Sequence, residues 1–90
     1  MPDIIIYTTR FCPYCIRAKQ LLESKGARWH EIAVDGRPDL RAEMEARSGQ
    51  YTVPQIWIDG RHIGGCTDLM ALDARGELDR LLGLAASADN

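Results

Sequence analysis

A chain of 90 residues with a formal net charge of −2 is sized for one domain with a modest core, and it lacks the basic excess of a general nucleic-acid binder. Its 46% hydrophobic and 27% charged residues are those of an ordinary soluble globular protein, and its apolar runs are far too short to cross a membrane. Three cysteines, an odd count, and a start at Met1-Pro2-Asp3 with no basic leader argue against a disulfide-stapled secreted scaffold, so a reducing cytoplasm is expected.

Asp3 to Thr8, with the run Ile4-Ile5-Ile6-Tyr7, reads as a first, buried strand. Thr9-Arg10-Phe11 leads into Cys12-Pro13-Tyr14-Cys15 and a helix to about Lys25, with Gly26 as its C-terminal stop. Arg28 to Val34 reads as a second strand, broken by Asp35-Gly36. Pro38-Asp39 opens a second helix to about Arg47, with Leu40 and Met44 on one face and Ser48-Gly49 ending it. Ile56-Trp57-Ile58 is a third strand, and Asp59-Gly60 is a two-residue hairpin signal into Arg61-His62-Ile63. Gly64-Gly65 turns into a last helix capped by Thr67 or Asp68, carrying Leu69, Leu72, Leu78, Leu81 and Leu82 inward with a break near Gly76. Residues 84–90 read as a fraying tail beyond a core of about 3–83, all in a single domain over 1–90.

The order β-α-β-α-β-β-α predicts a parallel pair from the strand–helix–strand start and an antiparallel hairpin near the end. The expected fold class is α/β: a mixed four-stranded sheet flanked by helices on both faces, with the cysteines at the C-terminal edge of the first strand.

Two thiols three positions apart sit one helical turn apart and can exchange between dithiol and disulfide. Pro13 fits the first turn, where its missing N–H costs nothing. At the helix N-terminus, Cys12 faces unpaired N–H groups and the positive end of the dipole, which favour an anion. Every charged residue from Ile4 to Leu22 is basic: Arg10, Arg17 and Lys19. Cys12 is therefore expected to attack as the thiolate, and Cys15, one turn inside, to resolve. The alternatives are half of a zinc site or two packed cysteines. A closed zinc site wants four ligands, and only Cys66, His30 and His62 remain, far apart in the chain. Redox chemistry is the preferred reading, and no metal is expected.

Two further motifs carry weaker signals. In Thr52-Val53-Pro54 a cis peptide would free the Val53 backbone groups to pair with an extended ligand, but an ordinary trans proline is the plainer reading of the residues. Gly64-Gly65-Cys66-Thr67-Asp68 offers close backbone approach and a helix N-terminus suited to a carboxylate. Taken alone, it is a glycine turn with a Thr/Asp cap. Cys66 reads as a small packed residue rather than a third redox group, and His30 and His62 as strand residues.

Together Tyr7-Thr8, Cys12-Pro13-Tyr14-Cys15, Ser48-Gly49, Thr52-Val53-Pro54-Gln55-Ile56 and His62-Ile63-Gly64-Gly65-Cys66-Thr67-Asp68-Leu69 resemble the glutaredoxin family in its dithiol, small bacterial form. The resemblance implies the thioredoxin fold and a cis Pro54. It also implies a glutathione groove formed by Tyr14, Thr52, Val53, Pro54, Gly65, Cys66, Thr67 and Asp68, with Arg41 as the cation for the glycyl carboxylate. Many relatives carry a lysine where this chain has Thr9, and Arg10 beside it is the candidate substitute. The implied activity is glutathione-dependent reduction of protein–glutathione mixed disulfides and of protein disulfides, such as that of ribonucleotide reductase. Glutathione is then the co-substrate, the chain a monomer, and neither nucleic acid nor membrane a partner. Two alternatives stay open: an electron donor served by thioredoxin reductase, and a glutathione-ligated iron–sulfur carrier, which Pro13 disfavours.

Overall fold

Eight elements succeed one another within residues 2–84, the span that the computed structural model describes. They are β1 (Ile4–Thr8), α1 (Pro13–Ser24), β2 (His30–Ala33), α2 (Pro38–Ser48), β3 (Gln55–Ile58), β4 (Arg61–Gly64), α3 (Cys66–Ala74) and α4 (Glu77–Leu81). The strands form one mixed sheet of order β2-β1-β3-β4, with β1 parallel to β2 and antiparallel to β3, and β3 antiparallel to β4.

Successive residues of a strand point to opposite faces, so a strand apolar at every position must be covered on both sides. Ile4 and Ile6 of β1 and Ile56 and Ile58 of β3 pack with Ala18 and Leu22 of α1, Leu69 and Leu72 of α3, and Leu78 of α4. Tyr7 and Trp57 face the other way and pack with Val34 and with Met44 of α2, with Leu40 beside them. The helix-on-both-faces arrangement is the one expected. The Asp59-Gly60 hairpin is also present, both residues having positive φ (51° and 79°). Its tip is tied to the chain start by an Asp59 N–H to Asp3 carbonyl bond of 2.7 Å. No helix among the described residues is long and apolar enough to cross a membrane.

Two expectations need correction, the extent of the second strand and the cap of the last helix. The second strand pairs only over His30–Ala33 rather than from Arg28 to Val34, because as an edge strand it is held by β1 alone, over Ile5 to Thr8. Trp29 lies outside the ladder and packs against the α1-side core. The last helix breaks at Gly76 as expected, into α3 and α4, with Lys25 Nζ bridging Asp73 and Asp79 at 2.8 Å each. Its cap is Gly65 rather than Thr67 or Asp68. Asp68 sits inside the first turn and accepts the Gly65 N–H from there, at 2.9 Å. The peptide before Pro54 is cis, as the resemblance implied and the residues alone did not. The tail expected beyond Leu84 lies outside the described residues.

That reach of Asp68 depends on Gly64, whose φ is 115° and where an added Cβ would fall against the Asp68 carboxylate. Gly64→Ala is expected to cost about 2–3 kcal/mol, combining backbone strain with loss of the cap hydrogen bond. Gly36→Ala, also at positive φ but with open space around its Cβ, is the comparison for strain alone. Equal midpoints for the two variants in urea unfolding would show that the Asp68 contact contributes nothing.

Candidate active site

Cys12 occupies the N-cap of α1, with extended backbone (φ −120°, ψ 106°), and Pro13 opens the helix. An N-cap side chain points back at the free N–H groups of the first turn. Here the capping atom is sulfur: Cys12 Sγ accepts the Cys15 N–H at 3.1 Å. Cys12 retains 8% of its surface exposed, whereas Cys15 is fully enclosed. The Cys15 thiol is pushed up to about 12, first by its burial and then by the adjacent Cys12, so it stays protonated at neutral pH. All three cysteines are free thiols.

Opposite Cys12 stands the cis Val53–Pro54 loop. Cys12 Sγ lies 3.7 Å from the Val53 carbonyl oxygen, to which the thiol form donates. A cavity of about 320 Å³ opens beside it, lined by Tyr14, Gln50, Thr52, Val53, Pro54, Gly65, Cys66, Thr67 and Asp68. The eight residues expected to form the groove are thus brought together. The 52–54 loop and the start of α3 come close enough that a Cβ on Gly65 would lie 3.4 Å from the Pro54 carbonyl oxygen.

Burial pushes the Cys66 thiol up, and its Sγ lies 3.8 Å from Met70 Sδ, so a packed, protonated thiol fits it best. Tyr14 is half exposed on the rim, with the Arg17 guanidinium over its ring at 5.6 Å. Phe11 and Tyr51 are exposed nearby in sequence to the motif and to the groove.

The two cations singled out from the sequence are engaged elsewhere. Arg10 turns to Asp35: its N–H donates to Oδ2 at 2.8 Å, and its guanidinium lies 3.8 Å from the same oxygen. That N–H is the main cause holding the Asp35 carboxyl below its ordinary range. Arg41 does not line the cavity. Its guanidinium donates to the Tyr51 carbonyl at 3.0 Å, one residue short of Thr52, so it borders the loop rather than the groove floor. Lys19 is paired with Glu31 at 3.0 Å. Among the described residues, no group of three or more His, Cys, Asp or Glu is placed to hold a metal ion.

Gln50 lines the groove and was not among the expected residues. It follows the α2 stop at Gly49, where the sequence has no period to assign a direction; only its position two residues before Thr52 pointed to it.

A cysteine with a sliver of exposed surface capping a helix, an enclosed partner one turn on and a cis-proline loop facing the first define a dithiol site of the thiol oxidoreductases. A glutaredoxin family model matches residues 4–63, and the chain belongs to the glutaredoxin family. It is 61% identical over 82 residues to a glutaredoxin of Pseudomonas aeruginosa, covering 91% of this chain and 98% of that one. It is 60% identical over 82 residues to glutaredoxin 3 of Escherichia coli K12, covering 91% and 99%. Among solved structures, the Brucella melitensis glutaredoxin superposes with a TM-score of 0.82 at 55% identity, covering 94% of this chain and 92% of that one. A buckwheat glutaredoxin–glutathione complex superposes with a TM-score of 0.84 at 34% identity, covering 91% and 77%. The fold is the thioredoxin fold, and the protein is a thiol oxidoreductase.

Proposed function

We propose that this chain is a glutathione-dependent thiol–disulfide oxidoreductase in which Cys12 is the nucleophile and Cys15 the resolving thiol. The observation that carries the reading is the Cys12 sulfur at the α1 N-cap, accepting the Cys15 N–H and facing Val53 across the groove. The thiolate is the attacking form of a cysteine, and of the pair only Cys12 keeps any surface exposed to an incoming disulfide.

In the first route the Cys12 thiolate attacks the glutathionyl sulfur of a protein–glutathione mixed disulfide. The protein leaves as its thiolate, and glutathione remains on Cys12. A second glutathione thiolate attacks that sulfur, releasing oxidised glutathione and restoring Cys12. In the second route Cys12 attacks a protein disulfide and Cys15 then attacks Cys12 Sγ. The substrate leaves as a dithiol, and two glutathiones reduce the Cys12–Cys15 bond. Ribonucleotide reductase is a substrate of the second kind that the family resemblance supplies.

The groove suits the tripeptide. The Val53 backbone offers strand-like pairing to its cysteinyl unit, next to Cys12. The start of α3 at Cys66 and Thr67 presents N–H groups to the γ-glutamyl carboxylate, and the Asp68 carboxylate suits its ammonium. Tyr14 and Thr52 complete the walls, Pro13 keeps the first turn of α1 in place, and Arg41, at the Tyr51 end, is the cation assigned to the glycyl carboxylate. Arg10, held by Asp35, keeps the loop before Cys12 in position. The fold shared with the buckwheat complex supports glutathione as the ligand. The working state is a cytoplasmic monomer.

The test is turnover of a glutathionylated model peptide by the reduced protein, with glutathione reductase and NADPH reporting oxidised glutathione. Glutathione-dependent turnover is the expected result. A folded, reduced protein that is inert with glutathione but reduced by thioredoxin reductase would overturn the reading.

A further inference from the structure

Gln55 is fully buried at the start of β3, and every polar atom of its side chain is engaged. Its Nε2 faces the Thr52 carbonyl at 3.1 Å, Gln50 Oε1 at 3.1 Å and Thr52 Oγ1 at 3.3 Å. Its Oε1 lies 2.7 Å from His62 Nε2. A backbone carbonyl only accepts, so the amide nitrogen must be the atom turned to Thr52, which leaves the oxygen for His62. An oxygen that only accepts then requires a proton on His62 Nε2.

His62 is itself held from the sheet. It lies opposite Trp57 in the β3–β4 register, and its ring stacks on the Trp57 ring at 4.7 Å and 35°. Trp57 in turn meets Tyr7 edge-on at 5.4 Å and carries the Arg47 guanidinium over its face at 4.9 Å. A continuous set of contacts therefore runs from the rigid sheet through His62 and Gln55 to Gln50 and Thr52. It ends at the residue preceding Val53 and Pro54, which face Cys12.

We infer that Gln55 and His62 are positioning residues that set the Gln50–Pro54 wall of the groove, acting on substrate affinity rather than on the sulfur chemistry. The inference rests on the proposed glutathione reading for its kinetic readout. Neither residue lines the glutathione cavity, and neither touches the reacting sulfur. Their effect passes through Thr52 and Gln50, which do line it.

Two variants separate positioning from mere stability. Gln55→Met keeps length and bulk but makes none of the amide's hydrogen bonds, and His62→Phe keeps a stacked ring without the N–H. Each is expected to raise KM for a glutathionylated peptide about ten-fold, the order of one buried hydrogen bond, with kcat kept within about two-fold. Because the residues act in one chain of contacts, the double variant is expected to be no worse than about the larger single effect. Unchanged KM, or a loss confined to kcat, would overturn the inference. Should Gln55→Met fail to fold, His62→Phe alone decides it by the same criteria.

A second readout does not depend on activity. Long-range ¹H–¹⁵N spectra of the reduced protein with neutral imidazole are expected to show the Nε2–H tautomer at His62. Both variants are expected to shift the Thr52 and Val53 amide resonances. An Nδ1–H tautomer, or unmoved amides, would overturn the network. If the wild-type protein did not turn over the glutathionylated peptide, the glutathione reading would fall, while the tautomer and amide shifts would still decide the positioning.

Discussion

Replacing Cys12 by serine is expected to remove both reductive routes, lowering deglutathionylation by at least about 10³-fold in the coupled glutathione reductase assay. Serine retains the N-cap geometry, since an N-cap hydroxyl accepts the Cys15 N–H as the sulfur does, so the helix and fold should survive. The loss then reports chemistry. A hydroxyl neither ionises at neutral pH nor forms a disulfide, and no other thiol can take its place. Cys15 is enclosed and protonated, and Cys66 has its own thiol pushed up by burial. Residual turnover above about a tenth of wild type would move the nucleophile to another cysteine.

Cys15→Ser is expected to divide the two routes. Deglutathionylation needs only Cys12 and incoming glutathione, so its rate should stay within about three-fold of wild type, or rise as a side reaction is removed. Reduction of a protein disulfide should instead stall at the mixed disulfide, isolable as a covalent complex on a non-reducing gel. The Cys15 thiol, pushed up to about 12 chiefly by burial, is expected to leave time for glutathione to act before internal resolution. A thiol so rarely ionised attacks slowly until Cys12 is tied up in a mixed disulfide. The hydrogen bond with the free Cys12 sulfur is then gone, while burial, the larger cause, persists. Equal loss of both activities in this variant would rule out the separate roles.

The fold could be read from local signals because its elements announce themselves locally. Ile4-Ile5-Ile6-Tyr7 is apolar at every position, which demands cover on both faces, and α1 and α2 supply it. Leu40 and Met44 lie four apart and reach the same core. Asp59-Gly60 closed the hairpin as expected. The errors fall where distant contacts override local preference. Thr67 and Asp68 are better cap residues than Gly65, yet the turn before α3 places Gly65 there and lets Asp68 cap from inside. Arg28 and Trp29 suit a strand, but β1 offers partners only as far as His30.

The candidate site divides in the same way. Cys12-Pro13-Tyr14-Cys15 after a strand placed the two thiols at the start of α1, since a helix start and a two-thiol spacing are properties of adjacent residues. Arg10 and Arg41 could be listed as nearby cations, but a long flexible side chain takes its direction from partners far along the chain. Asp35 and the Tyr51 carbonyl took them. Gln55 and His62 stood within recognisable motifs, but their pairing with each other and with Gln50 could not be read there, because a buried amide is explained only by the acceptors and donors around it.

The sequence alone determined the element order, the two-faced sheet and the position of the thiol pair, all set by periodicity and turn chemistry among neighbouring residues. The tertiary structure decided what faces the sulfur: the cis Val53–Pro54 loop, whose carbonyl lies 3.7 Å from Cys12 across 41 residues of sequence, and the Gln55–His62 contacts behind it. Those pairings arise only when separate segments pack, because each buried polar group must find its partner in whatever segment the fold brings beside it.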